Sequence, residues 1–416
     1  MTLTTDWDAI VIGAGPAGSV AARQIALSGR RVLLLDKKRF PRRKVCGACL
    51  NHSAVTILEQ IGLGDVLDDC GGTAIDRFDL RSGSRRLTLS LPTGRAISRA
   101  LLDQRLVDSA IQACVSFRDG VTATVHTCNA SRRRVELRET SGSDSLMSQT
   151  LTAKIVLAAD GLGHPSLCEV SDICDRVVRS SRIGAGCEVR EFPADYTPGT
   201  IHMAVGRSGY VGLVCIESGA LNIAAAFDAR LVRDSGGPAQ AAACVLTEAG
   251  FPAIPAMSEA DWIGTPALTR STSPVAAERL FVLGDAAGYV EPFTGEGMGW
   301  GLASAIALAP IADAACDNWR SSFANDWSRE HGRLVRRRQR TCGWLATLLQ
   351  SPTCVRVAMF LLPHMPSLLR PLVRGVSLSS STQLERGINE IAVVPTMAEG
   401  RKPMAVITSP KSQTLK

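Results

Sequence analysis

A glycine cluster near the start of the chain constrains the fold more than any other stretch. Residues 8–12 are apolar and run straight into Gly13-Ala14-Gly15-Pro16-Ala17-Gly18. Small residues at helical spacing follow over 20–27, Gly29 stops them, and a second apolar run, 32–35, ends in Asp36 beside Lys37. Strand, glycine turn, helix, strand and acid in that order make a dinucleotide-binding unit. The first glycine permits the tight turn, the second lets the backbone approach a pyrophosphate, and the third lets helix and strand pack closely. Asp36 then offers a carboxylate to a ribose diol.

A second cluster lies at 279–310. Residues 280–283 read as a buried strand that stops at Gly284-Asp285, which places an acceptor-only group at the carboxyl end of a strand, where ligands of open α/β sheets sit. That suits a sugar or ribityl hydroxyl. A loop with Gly288, Pro292, Gly295, Gly297, Gly299 and Gly301 follows, ahead of an apolar helix over 302–309. Alone it is a glycine-rich turn; with the first cluster it reads as chain bent around a ligand.

These residues, with three further stretches, resemble the flavoprotein superfamily of p-hydroxybenzoate hydroxylase, and within it the geranylgeranyl reductase-like proteins. The further stretches are Phe40-Pro41-Arg42-Arg43-Lys44-Val45-Cys46-Gly47, Ala159-Asp160-Gly161, and the helix start Arg99-Ala100-Leu101-Leu102-Asp103. The loop after Asp285, Glu291-Pro292-Phe293-Thr294-Gly295-Glu296-Gly297 ahead of Met298, is similar too. The resemblance implies an α/β fold with a discontinuous Rossmann-like FAD-binding domain of the glutathione reductase type (1–75, 97–180 and 275–325). It also implies an inserted antiparallel β-sheet substrate domain (76–96 and 181–274), a helical C-terminal part (326–395) and a tail (396–416). It implies FAD as cofactor and NAD(P)H as electron donor. Asp285 would bind the ribityl part, Asp36 the adenosine ribose, and Arg99 the phosphates or ribose. Cys46 and Gly47 would lie near the flavin, and Asp160-Gly161 would touch both FAD and the pyridine nucleotide. Pro292, Gly295, Glu296, Gly297 and Met298 complete the expected cofactor set. The chain departs from the pattern in having Asp36 where Glu is more usual. Its 161–168 stretch is also longer before Ser166 and lacks a trailing Arg.

Between the motifs, 54–67 has the stripe of an amphipathic helix (Val55, Leu58, Ile61, Leu63), and 77–92 that of a hairpin turning at Gly83. Residues 100–114 read as a helix, 121–151 as short strands around a polar turn at 141–145, and 155–159 as a buried strand. The runs 187–189, 200–205, 210–217 and 221–227, with a helix at 238–249, argue an antiparallel sheet; with the hairpin it would roof the flavin. Gly212, Ala204, Leu213 and Met203 suggest a roomy apolar pocket, with His202, Tyr210 and Glu296 as its polar candidates. His164, a lone loop histidine, is expected at the surface, and most of the basic run Arg39, Arg42, Arg43 and Lys44 in solvent. The strand at 209–214 lacks the tryptophan of reductase-like and halogenase relatives, and no W-x-W-x-I-P stretch occurs, which disfavours tryptophan halogenation.

Composition bounds the rest. With 416 residues, 45% hydrophobic and 20% charged, the chain can bury a large core divided among two or three domains. Its net charge of +7 owes much to the six arginines of 326–340; without interleaved aromatics these do not suggest nucleic acid. The 13 cysteines have no repeated spacing, and Cys46-Gly47-Ala48-Cys49 follows the second strand, not a first one. Reduced thiols, no metal and a cytoplasmic setting are therefore expected. The apolar stretch 341–373 is too interrupted to span a membrane, which leaves short helices over the pocket or on a membrane surface. The reading is an FAD-dependent oxidoreductase of a hydrophobic small molecule, with C=C reduction of an isoprenoid or lipid-like substrate preferred. A flavin monooxygenase hydroxylating or epoxidising an aromatic or polyketide substrate is the alternative; an FAD-stabilised lipid carrier or scaffold is the non-enzymatic one.

Overall fold

Asp6–Ile12 and Val32–Leu35 form the middle of a mainly parallel sheet because both are apolar runs that can be covered on two faces. The computed structural model describes residues 6–139, 148–291, 295–340 and 342. In the first sheet the strand order is Ala276–Ala277, Leu280–Val282, Ser148–Ala158, Asp6–Ile12, Val32–Leu35, Ser116–Arg118. Arg133–Glu139 and Val121–Cys128 extend it antiparallel from the long Ser148–Ala158 strand. Leu280–Val282 pairs parallel with Ser148–Ala158, so Gly284-Asp285, Asp160 and the Gly13 turn all emerge at the same end of adjacent strands.

The helix Pro16–Leu27 contacts both Arg99–Gln112 and Gly297–Asp317. Gly297–Asp317 is longer than the sequence suggested and runs through Pro310. Among the described helices it alone is long and apolar enough to cross a membrane, and 72% of its apolar window is buried in the protein. The expected 54–67 helix is two, His52–Gln60 and Gly64–Asp69, because Gly62 turns the chain at φ +72°.

The second sheet has eight strands in the order Ile263–Ala267, Ile183–Val189, Leu221–Phe227, Gly209–Cys215, Thr200–Gly206, Thr73–Ser82, Arg85–Ala96, Cys49–Leu50. The hairpin thus joins strands that lie more than a hundred residues later. One seam is parallel, Thr200–Gly206 on Thr73–Ser82, where a fully antiparallel sheet was expected. No short turn links these two strands, so nothing forces them to run opposite ways. Pro238–Glu248 packs on Thr200–Gly206 and Gly209–Cys215. A three-stranded sheet, Cys174–Val177, Arg270–Ser273 and Gly288–Tyr289, lies beside the Asp285 turn.

Candidate cofactor and substrate site

Glycine geometry builds the cradle. Gly13 has φ +102°, and a Cβ there would stand 2.3 Å from the Ala159 carbonyl oxygen; one on Gly18 would stand 1.8 Å from that of Gly13. Backbone meets backbone at both points, so neither position tolerates a side chain. The Gly13 amide donates to the Leu35 oxygen at 2.7 Å and ties the turn to the second strand. At Gly15, just before Pro16 opens the helix, a Cβ would lie 3.5 Å from Arg99 Nη2 and 3.7 Å from Arg42 Nη2. A helix N-terminus flanked by two guanidinium groups is an anion site suited to a pyrophosphate.

Arg42 is not solvated as expected. Its side chain is 10% exposed, lies over the Phe40 ring, and bridges Asp36 at 3.3 Å and Asp103 at 3.2 Å. Arg99 holds the fully buried Asp103 two-pronged, at 2.8 Å through Nε and Nη2. Arg43 does point outward, to the exposed Asp261, and Lys37 is exposed. Lys44 reaches Asp285 at 3.7 Å and lies 3.4 Å from where Gly161 would carry a Cβ. Burial pushes the Lys44 ammonium down from its usual range; Asp285 opposes this, while Arg99 and Arg42 add to it. Asp36 accepts from the amides of Ala14 and Lys38, both at 2.9 Å, and a carboxylate's remaining lone pairs leave room for ribose hydroxyls.

At the far end, Gly284 (φ +61°) brings the Asp285 turn against Ala17, whose Cβ would lie 2.9 Å from one on Gly284. Asp160 accepts from the Ser166 amide at 2.8 Å through Oδ2, while Oδ1 is buried without a partner among the described residues. Burial raises this carboxyl, against the pull of Ser166. His164 is buried, contrary to expectation. The loop carrying it folds under Arg270, whose Nη1 lies 2.5 Å from a would-be Cβ on Gly163 and pairs with Asp175 at 2.8 Å. Cys46 is half-buried, and its carbonyl accepts from Asn222 Nδ2 at 3.0 Å, which docks this loop on the second sheet. Gly47 is exposed with open space around it. The Cys49 thiol donates to the Gly47 oxygen at 3.0 Å, and burial pushes it far above the usual thiol range. Gly295 (φ +73°) approaches Cys49, Gly297 opens the long helix, and Met298 enters the main core. Pro292, with residues 293 and 294, lies outside the described residues.

The substrate candidates do not converge. His202 packs edge-on to Tyr196 and Phe251, 3.6 Å from Asp79, on the face covered by Pro238–Glu248, where Ala204 and Leu213 also lie. Tyr210, Gly212 and Met203 point to the opposite face, as alternation along a strand requires. Glu296 belongs to neither; the Cys342 thiol donates to its Oε2 at 3.0 Å, and burial raises its carboxyl. Sequence reading passed over what the Tyr210 face does contain: Phe78, Leu80, Leu87, Leu89, Leu91, Ile201 and Val205 form one apolar surface with Met203 and Tyr210. Through Ile201 it continues into the cluster of Ala48 and Cys49 beside the Cys46 loop. Period-two alternation at Leu87, Leu89 and Leu91 was its signal.

The cradle, the acid at each end and the paired arginines between them define a dinucleotide-binding α/β protein. Residues 6–322 match the FAD binding domain family, and the chain belongs to that family. It is 29% identical over 375 residues to a menaquinone reductase of Mycobacterium tuberculosis (strain ATCC 25618 / H37Rv), covering 85% of this chain and 86% of the relative. It is 27% identical over 341 residues to digeranylgeranylglycerophospholipid reductase 1 of Methanothermobacter thermautotrophicus (strain ATCC 29096 / DSM 1053 / JCM 10044 / NBRC 100330 / Delta H), covering 75% and 78%. In fold it is similar to the flavin-dependent brominase Bmp2 (TM-score 0.72, 15% identity, 93% and 99% covered). The halogenase PltM in complex with phloroglucinol and FAD also shares the fold (TM-score 0.64, 16% identity, 78% and 73% covered). The protein is an FAD-binding flavoenzyme, which replaces the carrier or scaffold reading. Its residues fit the cofactor: the glycine cradle admits no side chain, Arg42 and Arg99 flank it, and Asp160 keeps an unmet buried acceptor.

Proposed function

We propose that the enzyme reduces a C=C bond of an isoprenoid or lipid-like substrate, with NAD(P)H reducing the flavin. The observation that carries this is the apolar surface of Tyr210, Met203, Leu80 and Leu87, which crosses four strands, about 14 Å at the usual strand spacing. A long chain laid along these largely buried side chains would be led out of water toward the Cys46 loop. The names of the menaquinone and digeranylgeranylglycerophospholipid reductases support the same class.

Bound FAD supplies two-electron hydride chemistry. The chain's own task is holding and shielding. Asp36, Arg42, Arg99 and Asp285 would hold the cofactor along its length. The Val45-Cys46 loop lies directly on the second sheet because Gly186 leaves no side chain between them; a Cβ there would meet Val45 at 3.3 Å. That contact helps exclude water from one side of the site. Peripheral contact with a membrane, from which such a substrate would be drawn, belongs to the same proposal. Its expected carrier, 341–373, lies, apart from Cys342, outside the described residues.

The test is product formation by chemically reduced enzyme with oxygen rigorously excluded. One turnover on an isoprenoid substrate supports the reading. Product that appears only after air is admitted, with oxygen from the gas in it, makes the enzyme a monooxygenase instead.

A further inference from the structure

Glu291 is a buried carboxyl at the edge of the Tyr210 face, 3% exposed. Arg182 Nη1 donates to its Oε1 at 3.2 Å, and the same guanidinium holds Asp228 through Nε at 3.3 Å. The Tyr210 phenol shares a hydrogen bond with the Glu291 carboxyl, and its ring centre lies 5.8 Å from the Arg182 guanidinium carbon. Tyr289, close to Asp285 and Cys46, completes the titratable groups that face Glu291 among the described residues: Arg182, Tyr210, Asp228 and Tyr289.

One cation here serves two acids. Arg182 divides between Asp228, which is half-exposed to water, and Glu291, which is buried where a bare charge is costly. Burial raises the Glu291 carboxyl, Arg182 and Tyr210 oppose the rise, and Asp228 adds to it. The chain has three tyrosines. Tyr196 is committed elsewhere, its hydroxyl donating to the Pro252 oxygen at 2.6 Å on the other face of the sheet. Of the other two, Tyr210 lies with the apolar face and so joins the Glu291 carboxyl to it.

We propose that Tyr210 is the catalytic acid of alkene reduction at this site and that Glu291, held by Arg182, is the positioning residue that stores its proton. The inference rests on the reaction proposed above. Saturating a C=C bond takes a hydride at one carbon and a proton at the other. Reduced flavin, renewed by a nicotinamide dinucleotide, is the hydride source. As the π bond opens, the second carbon takes the Tyr210 hydroxyl proton while the Glu291 proton moves to the phenol oxygen. The phenol is restored in the same event. The carboxylate left behind is met by Arg182, and water reprotonates it afterwards. Tyr210 alone would be left a buried phenolate, which its surroundings strongly disfavour.

The experiment uses the full-length holoenzyme, chemically reduced without oxygen, in a single turnover in D2O. Menaquinone and a digeranylgeranylglycerophospholipid are the probes. Wild type should give product with two solvent deuteriums, because the hydrogen carried by chemically reduced flavin exchanges with D2O as the hydroxyl proton does. Tyr210→Phe and Glu291→Gln, with wild-type flavin content, should slow the turnover about a hundredfold or more, the contribution expected of a general acid. Glu291→Gln should also remove the loss of rate that accompanies deprotonation of this carboxyl as pH rises. Independently of turnover, infrared spectra of the apoprotein should show a protonated-carboxyl band that Glu291→Gln abolishes. Undiminished rates in both variants, or no such band, overturn this proposal while alkene reduction stands. Wild type that saturates neither probe overturns the reaction reading itself, and this proposal with it.

Discussion

A methyl group added at Gly18 would sit 1.8 Å from the Gly13 carbonyl oxygen, whereas one at Gly47 would meet nothing within 4 Å. Gly18→Ala should therefore cost about 1–3 kcal/mol or more by overpacking and purify with little FAD, while Gly47→Ala stays near wild type in both. Thermal unfolding and flavin absorbance of the two variants decide it, and equal behaviour would remove the cradle argument. Asp285→Ala, which takes away a carboxylate at the other end, should weaken FAD by about 1.5–3 kcal/mol, roughly ten- to a hundredfold, in a titration of apoprotein. Gly13, Gly18 and Asp36 were legible because each answers to a local demand, a turn or a strand end. Arg42 and Lys44 were not. Their partners Asp103 and Asp285 lie 61 and 241 residues away, and no pattern in the loop itself marks which cations turn inward. His202 and Tyr210 were grouped by polarity, when their even spacing from Ala204 and Gly212 held the clue to opposite pairing across the hairpin.

The helix Ser322–His331 shows what a charge-rich segment can hide. The arginine run read over 326–340 begins inside it, yet the helix buries Trp327 completely, with the indole Nε1 donating to the Val282 oxygen at 3.0 Å. Trp327→Phe leaves a void and an unmet carbonyl on the strand that leads to Asp285, so about 2–4 kcal/mol of stability should be lost, read as a lower denaturant midpoint. His331, one turn on, is also buried, and burial with Arg336 nearby pushes its imidazole down to about 4. The unfolded chain, titrating near 6.5, binds the proton more readily between these values. Stability from this group is thus complete above about pH 6.5 and lost as pH falls toward 4, about 3 kcal/mol in all. His331→Phe should flatten that part of the stability–pH curve; an unchanged slope would place the titration elsewhere. Among strands, the alternating ones were the easiest to read, while the break at Gly62 and the helix passing through Pro310 were not, because packing outweighed local preference there.

On the scale of the molecule, the two sheets share a boundary made by the Val45-Cys46 loop, and the apolar face of Tyr210 and Met203 continues from it. If the substrate is drawn from a bilayer, full-length protein should float with anionic vesicles at low salt and release as salt rises; absence of flotation at every salt concentration would confine the enzyme to dispersed substrates. FAD should raise the melting temperature, since a ligand at a hundred times its Kd adds about 2.7 kcal/mol. The groups that would grip it are scattered: Gly15, Asp36 and Arg42, then Arg99, then Asp160, then Asp285, with Leu280–Val282 closing the sheet beside Ser148–Ala158. During synthesis the glycine turn leaves the ribosome long before the turn at Asp285 exists. A grip that needs both ends is therefore complete only once the Asp285 turn has been made. A chain truncated before Asp285 should then purify colourless however well its first strands have formed, while the full chain should be yellow.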